Sequence, residues 1–270
     1  MFVIASNLTT RDPKIAGVFK QARVEGWNVR GESAKYLQRI AEECVSCKAD
    51  ALEIDTQQHF DEPGAMKFAV EAVQQVADLQ LCLSSNKPET LEAGLKACKK
   101  PPVVNYLAIE MSRLEEVLPK AVSAGAGLVL LVSDPSSPTD AREMLQKAAI
   151  LVGAANAEGI TNEKIFVDPG VIHITNELGQ RHMSEVVEFL KELPRAIDPP
   201  LRSTCWLASS SSGAPATKRL VIETAVLHTL AGAGISSVFM DVLRRENRMA
   251  VRLARIFQDE LVYSEGDIEL

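Results

Sequence analysis

Short β-branched, apolar runs alternate along almost the whole chain with stretches whose apolar residues recur every three or four positions. The first pattern is that of buried strands, the second that of amphipathic helices. Strands are expected at residues 2–6, 51–55, 79–84, 103–107, 127–133, 164–168, 202–207 and 235–241. Helices are expected at residues 65–77, 88–98, 112–124 and 141–158, with 13–23 and 34–47 sharing the long gap after the first strand. Pro63, Pro88 and Pro138 lie near expected helix starts, and Gly125 and Gly159 follow helix ends, where each residue is favoured. Strands separated by helices predict a parallel sheet, and eight of them predict a closed (β/α)8 barrel. A doubly wound open sheet is the alternative. It normally carries a glycine-rich phosphate turn after its first strand, and here that turn reads Ala5-Ser6-Asn7-Leu8-Thr9-Thr10, without glycine.

The length of 270 residues sits near the roughly 250 typical of such a barrel. No repeat, linker or low-complexity tract divides it. The net charge of −7 argues against nucleic acid or an anionic membrane as the main partner. No apolar stretch approaches the roughly 20 residues that span a bilayer, and the N-terminus lacks the pattern of a signal peptide. The five cysteines are odd in number and several sit in apolar runs, which fits reduced, buried thiols and a cytoplasmic protein.

In a (β/α)8 barrel, chemistry sits where strands end. Nearly every expected strand here ends on polar residues: Ser6 and Asn7, Asp55, Ser84 and Ser85, Asn105, Ser133 and Asp134, Asp168, Ser209 and Ser210, and Asp241. Any of them singly is also a good helix N-cap. As a set they predict a polar small-molecule site at the C-terminal mouth. Asp168-Pro169-Gly170 is the sharpest element, a carboxylate closing an apolar run before a tight turn. The Ser209–Ser212 run leads into a helix bearing Lys218 and Arg219, and is read either as an anion site or as a polar loop with solvated cations. Cys44 and Cys47 have CxxC spacing but no second pair or nearby histidine, so a structural role is expected and no metal site is. His173 is expected near the mouth and His228 packed on a helix. No nucleophile-elbow, Walker or dinucleotide motif is present.

Beyond its pattern, the sequence resembles the pterin-binding TIM barrels, most closely the methyltetrahydrofolate:corrinoid/iron–sulfur protein methyltransferases and more distantly the dihydropteroate synthases. The resemblance runs from about Ala51 to the C-terminus. It is carried by LQLCLSSNKPETLEAGLKACKKPPVVN, from Leu79 to Asn105, by KIFVDPG, from Lys164 to Gly170, by the helix around Pro215 and Arg219, and by Asp241. It implies one pterin-binding-like domain over residues 1–270, a homodimer, and binding of tetrahydrofolate or methyltetrahydrofolate at the mouth. It also implies transfer of the N5 methyl group to or from a corrinoid (cobalamin) carried by a partner protein such as a corrinoid/iron–sulfur protein. Asp55, Ser84, Asn105, Asp168, Arg219 and Asp241 are the implied substrate-binding residues, and Asn105, Asp168 and Ser209 the implied catalytic ones.

The match has departures. Ser84 stands where the family has an Asp after the third strand, and Asp55 where it has Asn. Ala208 aligns with a seventh-strand Asn near N5, and a one-residue shift would bring in Ser209. Two alternatives follow: a catalytically degenerate barrel that binds a corrinoid protein or another partner, and a barrel enzyme with a changed small-molecule substrate. On the sequence alone, Ser84→Asp is expected to strengthen pterin binding.

Overall fold

The computed structural model describes residues 1–109, 111–133 and 139–264. The expected Asp134 rim position and the Pro138 helix start lie outside them. The elements run β1 (Phe2–Thr9), α1 (Pro13–Val24), α2 (Glu32–Ser46), β2 (Ala51–Asp55), α3 (Pro63–Val73), β3 (Gln80–Ser84), α4 (Pro88–Ala97), β4 (Val103–Leu107) and α5 (Met111–Ser123). They continue β5 (Gly127–Leu131), α6 (Ala141–Ala157), β6 (Ile165–Asp168), α7 (Gly179–Ala196), β7 (Arg202–Ser203), α8 (Ala216–Gly232), β8 (Ser237–Met240) and α9 (Arg245–Phe257). The eight strands form one parallel sheet in the order β7-β6-β5-β4-β3-β2-β1-β8. This is the expected (β/α)8 barrel.

Period-two alternation sorts the strand residues into two cores. Ile4, Ala51, Cys82, Val103, Val129, Phe166 and Phe239 point inward and plug the barrel. Their neighbours, such as Leu52, Leu83, Val104, Val167 and Val238, point outward and pack under the helices. Both faces of a parallel sheet are thus buried, which is why the strands read as near-continuous apolar runs. Helix starts follow the expected signals: Pro occupies the first turn of α1, α3 and α4, and Asp12 and Asp140 cap α1 and α6 through their side chains.

The seventh strand is shorter than the expected 202–207. Regular pairing covers only Arg202–Ser203, because the seam with β8 is closed largely by side chains. Ser236 Oγ accepts the Ser203 N–H at 2.8 Å and donates to the Ser203 carbonyl at 3.0 Å, and Ser203 Oγ accepts the Ser236 N–H at 3.1 Å. Further up, the Phe239 N–H reaches the Cys205 carbonyl at 2.8 Å, and Trp206 bridges to Phe239. The five cysteines are all free. Cys44 lies late in α2, where burial pushes its thiol up to about 12, consistent with a packing role.

The seam gives the first prediction. Ser236→Ala leaves the Ser203 N–H without its partner at a buried joint and takes one of two donors from the Ser203 carbonyl, which keeps Ser237 Oγ at 2.8 Å. A loss of about 1–3 kcal/mol is expected, read as an earlier midpoint in urea unfolding followed by circular dichroism, whereas Ser236→Thr keeps the hydroxyl and most of the stability.

Candidate functional site

Of the expected rim residues, Asp55, Ser84 and Asp168 end their strands and Asp241 directly follows β8, whereas Asn105 lies in the middle of β4. They do not form one cluster of free groups. Two are consumed within the protein. Asp55 accepts from Thr9 Oγ1 at 2.7 Å, from Arg11 Nε at 3.1 Å and from the Gln57 N–H at 2.9 Å. Asp241 accepts from Asn7 Nδ2 at 2.5 Å, from the Leu243 N–H at 3.0 Å and from Arg244 Nε at 3.2 Å. A register shift in β1 between Ala5 and Leu8 accompanies this arrangement. Asn7 tethers the top of β8 to β1, its Oδ1 taking the Val242 N–H at 3.1 Å, and Thr9 is set beside Asp55.

Ser84 and Asn105 are brought together. Asn105 Nδ2 donates to Ser84 Oγ at 2.9 Å, and both side chains donate to one oxygen of Glu53, Ser84 at 2.5 Å and Asn105 at 3.3 Å. Glu53 was not among the expected site residues. It is fully buried on β2, and the signal was available: it is two residues before Asp55, so it shares the inward face, and it is the one charged residue within an apolar strand interior. Burial, then the neighbouring Asp55 charge, holds its carboxyl well above the usual carboxylate range, against the pull of Ser84, Arg11 and Asn105. Among the described residues, its second oxygen, Oε2, has no hydrogen-bond partner.

Asp168 is half-buried. Its Oδ1 takes the Gly170 N–H at 2.8 Å, and no described contact engages the other oxygen. Burial pushes the carboxyl up to about 7 against that single hydrogen bond. Gly170 has φ of +67°, and a Cβ there would lie 2.0 Å from Ser133 Oγ, so the turn admits only glycine. The Gly170 carbonyl lies 2.7 Å from His182 Nε2. A carbonyl only accepts, so that nitrogen carries the proton.

The remaining expectations fare differently. Ser209 lies half-buried in a 3-10 turn at Leu207–Ser211, and no described contact joins its side chain to the Glu53 or Asp168 groups. Arg219 is exposed on α8 and donates to the Ala214 carbonyl at 3.0 Å. Two hydroxyls of the serine loop are spent internally: Ser210 Oγ donates to the Leu207 carbonyl, and Ser211 Oγ to the buried carboxyl of Glu223, each at 2.6 Å. His173 contacts Thr175 in the loop after β6, and that loop is tied to the serine turn by Ile174 N–H to the Ser210 carbonyl at 3.0 Å and Thr175 Oγ1 to the Ser212 carbonyl at 3.1 Å. His228 is partly buried on α8, with Nδ1 2.7 Å from the Thr224 carbonyl. Arg11, also missed, bridges the mouth: besides Asp55 it stacks over the Trp206 ring, 5.0 Å from its centroid. Among the described residues, no group of His, Cys, Asp and Glu is placed to hold a metal ion.

Polar groups with hydrogen-bonding capacity not spent in the described contacts thus remain on half-buried Asp168 and on buried Glu53. Residues 45–241 match the pterin binding enzyme family. The chain belongs to that family. It is 27% identical over 192 residues, covering 69% of this chain and 68% of the relative, to a methylcorrinoid:tetrahydrofolate methyltransferase of Eubacterium limosum. Among solved structures it resembles the Yersinia pestis dihydropteroate synthase bound to a pterin–sulfa conjugate, with a TM-score of 0.69 at 17% identity over 96% of this chain and 94% of that one. The 7,8-dihydropteroate synthase of Vibrio fischeri gives a TM-score of 0.67 at 15% identity over 96% and 93% of the two chains. At such identities the structures speak for the shared barrel. Among the described residues no helix is long and apolar enough to cross a membrane.

Asp168 sets the second prediction. Its folded pKa is raised, so the folded state favours the proton more than the unfolded chain does, and ionisation weakens folding. Relative to Asp168→Asn, the native protein is expected to be most stable near pH 4 and to lose that advantage as the pH rises to about 7. Thermal melts of both proteins from pH 4 to 8 check the sign; a native protein that gains on the variant with rising pH would contradict it.

Proposed function

We propose that this pterin-binding barrel takes a reduced folate at its mouth and, as a cytoplasmic homodimer, transfers the N5 methyl group between that folate and a corrinoid carried by a partner protein. The observation that carries the reading is the relative of known activity, matched over two thirds of both chains, together with a mouth whose open groups suit a pterin. Asp168, ionised above about pH 7, offers an acceptor to the amino-pyrimidinone edge, where a carboxylate takes two parallel N–H bonds. Asn105 supplies an amide that both donates and accepts. The donor set fits the heterocycle: the turn after Asp168 brings the backbone in close at Gly170, and the buried polar atoms of β2 to β4 face one interior.

The chemistry asks for little else from the chain. A tertiary amine is a poor leaving group, so in the direction away from folate, N5 keeps the bonding pair and must take a proton or hydrogen bond as the methyl departs. Ser209 and Asn105 are the residues assigned to that neighbourhood. The corrinoid, as methyl acceptor or donor, is a substrate presented by the partner. One observation favours the second reading, a barrel that binds its partner without catalysis: Ala208, aligned with the family's N5-facing amide, is exposed on the 3-10 turn and offers no donor.

The test is calorimetric titration of the intact protein with methyltetrahydrofolate, and of tetrahydrofolate with methylcobalamin as surrogate donor followed by visible absorbance. Micromolar folate binding and a protein-dependent spectral change are expected. Asp168→Asn, which turns an acceptor into a donor facing a donor, should cost about 2–4 kcal/mol of binding, and native affinity should rise about tenfold from pH 6 to 8 as the carboxyl ionises. Binding without turnover would favour the non-catalytic reading; no folate binding would overturn the proposal. Light scattering that returns a monomer mass would overturn the dimer.

A further inference from the structure

We propose that His182, near the start of α7, is a positioning residue of the barrel mouth: it clamps the turn after β6 through the Gly170 carbonyl, and the clamped turn aims the Asp168 carboxylate. The inference takes its ligand from the pterin reading above and deepens it, since it names the side chain that sets the direction of the group assigned to the amino-pyrimidinone edge.

Asp168 is fixed in its backbone and loosely held in its side chain. The Val132 N–H donates to its carbonyl at 3.0 Å from the β5 side, and the Thr204 N–H donates to the Val167 carbonyl at 2.9 Å from the β7 side. The carboxyl has one described hydrogen bond, Oδ1 accepting the Gly170 N–H at 2.8 Å. Cys205 is the titratable side chain that acts on it, and burial keeps that thiol neutral. The direction of Oδ2, the oxygen left for a ligand, therefore follows from where the Gly170 N–H points. That N–H borders the softest joint of the turn. The ring of Pro169 fixes its own φ, but Gly170 sits at φ of +67°, and glycine takes either sign of φ about as readily.

His182 supplies the missing hold. Its Nε2–H donates to the Gly170 carbonyl at 2.7 Å, so the two peptide groups flanking the Gly170 Cα are pinned separately, one by Asp168 and one by His182. Ser133 Oγ also reaches that carbonyl, at 3.4 Å, a far weaker contact. The next ties of the loop come only at Ile174 and Thr175. Gly179 lets α7 begin hard against this loop, since a Cβ there would lie 2.3 Å from the His173 carbonyl, and that approach carries His182 to Gly170.

The surroundings of the ring say what it is for. His182 is 1% exposed and stands in the buried stripe of α7 with Val186, Phe189, Leu190 and Leu193. Its Nδ1 is buried and has no hydrogen-bond partner among the described residues. A leucine would fill this place without a bare nitrogen, whose burial is costly. Packing alone thus gives no reason for a histidine here, and its bond to the turn does.

The experiment compares full-length native protein with His182→Gln, which puts a side-chain N–H near the place of Nε2, and with His182→Leu and His182→Met, two apolar replacements of different shape. Circular dichroism and melting establish folding. Calorimetric titration with methyltetrahydrofolate at pH 8 reads binding. Infrared difference spectra of each ligand-free protein against its own Asp168→Asn counterpart follow protonation of that one carboxyl with pH. His182→Gln should bind within about threefold of native, and the apolar variants should bind about tenfold more weakly. The Gly170 N–H draws the carboxyl down against burial, and the native midpoint lies at about 7. Loosening the turn weakens that bond, so the midpoint should move upward in both apolar variants and stay at the native position in His182→Gln. Native-like binding by an apolar variant overturns the inference, and so does weaker binding with an unmoved midpoint, which would mean an effect that does not pass through Asp168. A His182→Gln protein as impaired as the apolar variants, or apolar variants that both fail to fold, would assign the histidine to stability and overturn it as well. If the native protein binds no reduced folate, the pterin reading fails, while the ligand-free midpoints still decide whether His182 governs Asp168.

Discussion

Closing eight parallel strands on themselves forces every second residue of each strand into one shared interior. Seven apolar side chains fill its lower part, and the polar residues that follow them along the strands have no solvent at their backs. Each must find a partner across the barrel or a partner that arrives from outside. The character of the mouth follows from how that requirement is met. Asp55 and Asp241 find internal partners from β1, from the loop that follows it and from their own turns. Glu53 is half satisfied, by serine and amide, and Asp168 holds a single backbone N–H. The carboxyls least provided for from within are the ones whose protons are held most tightly.

Charge state and binding are therefore two sides of one placement. A carboxyl that burial keeps protonated destabilises the fold less than an ionised one would, and it is also a donor that an ionised group cannot be. Burial pushes the Asp168 carboxyl up to about 7 and holds that of Glu53 well above the usual carboxylate range. A pocket with two identical carboxylates side by side would have to neutralise one of them. Here the two are on separate strands and in different surroundings.

Much of this arrangement could be read along the chain. The alternation of strand and helix patterns gave the barrel, and Asp168-Pro169-Gly170 announced a strand end with a turn that tolerates no side chain. Ser84 and Asn105 lie together at the mouth as expected. What could not be read was which strand-end groups spend themselves on each other. Asp55 and Asp241 look the same in sequence as Asp168, and only the register of β1, with its shift between Ala5 and Leu8, decides that Thr9 and Asn7 stand beside them. Glu53 escaped notice for a related reason. It lies one inward step below the rim, where a barrel normally places an apolar residue, and its meaning depends on Ser84 and Asn105 from two other strands. The serine loop after β7 was read two ways, and the structure shows how two of its hydroxyls are used. Four hydroxyls in a row suggest an anion cradle, but two are buried and turned to a carbonyl and to Glu223.

Arg11 ties two sides of the mouth together. Its guanidinium is anchored to Asp55 on β2 and sits over the Trp206 ring beyond β7. The tryptophan is in turn braced on Phe239. An arginine so held links the Asp55 end of β2 to the turn after β7, so a change at either anchor is felt at the other.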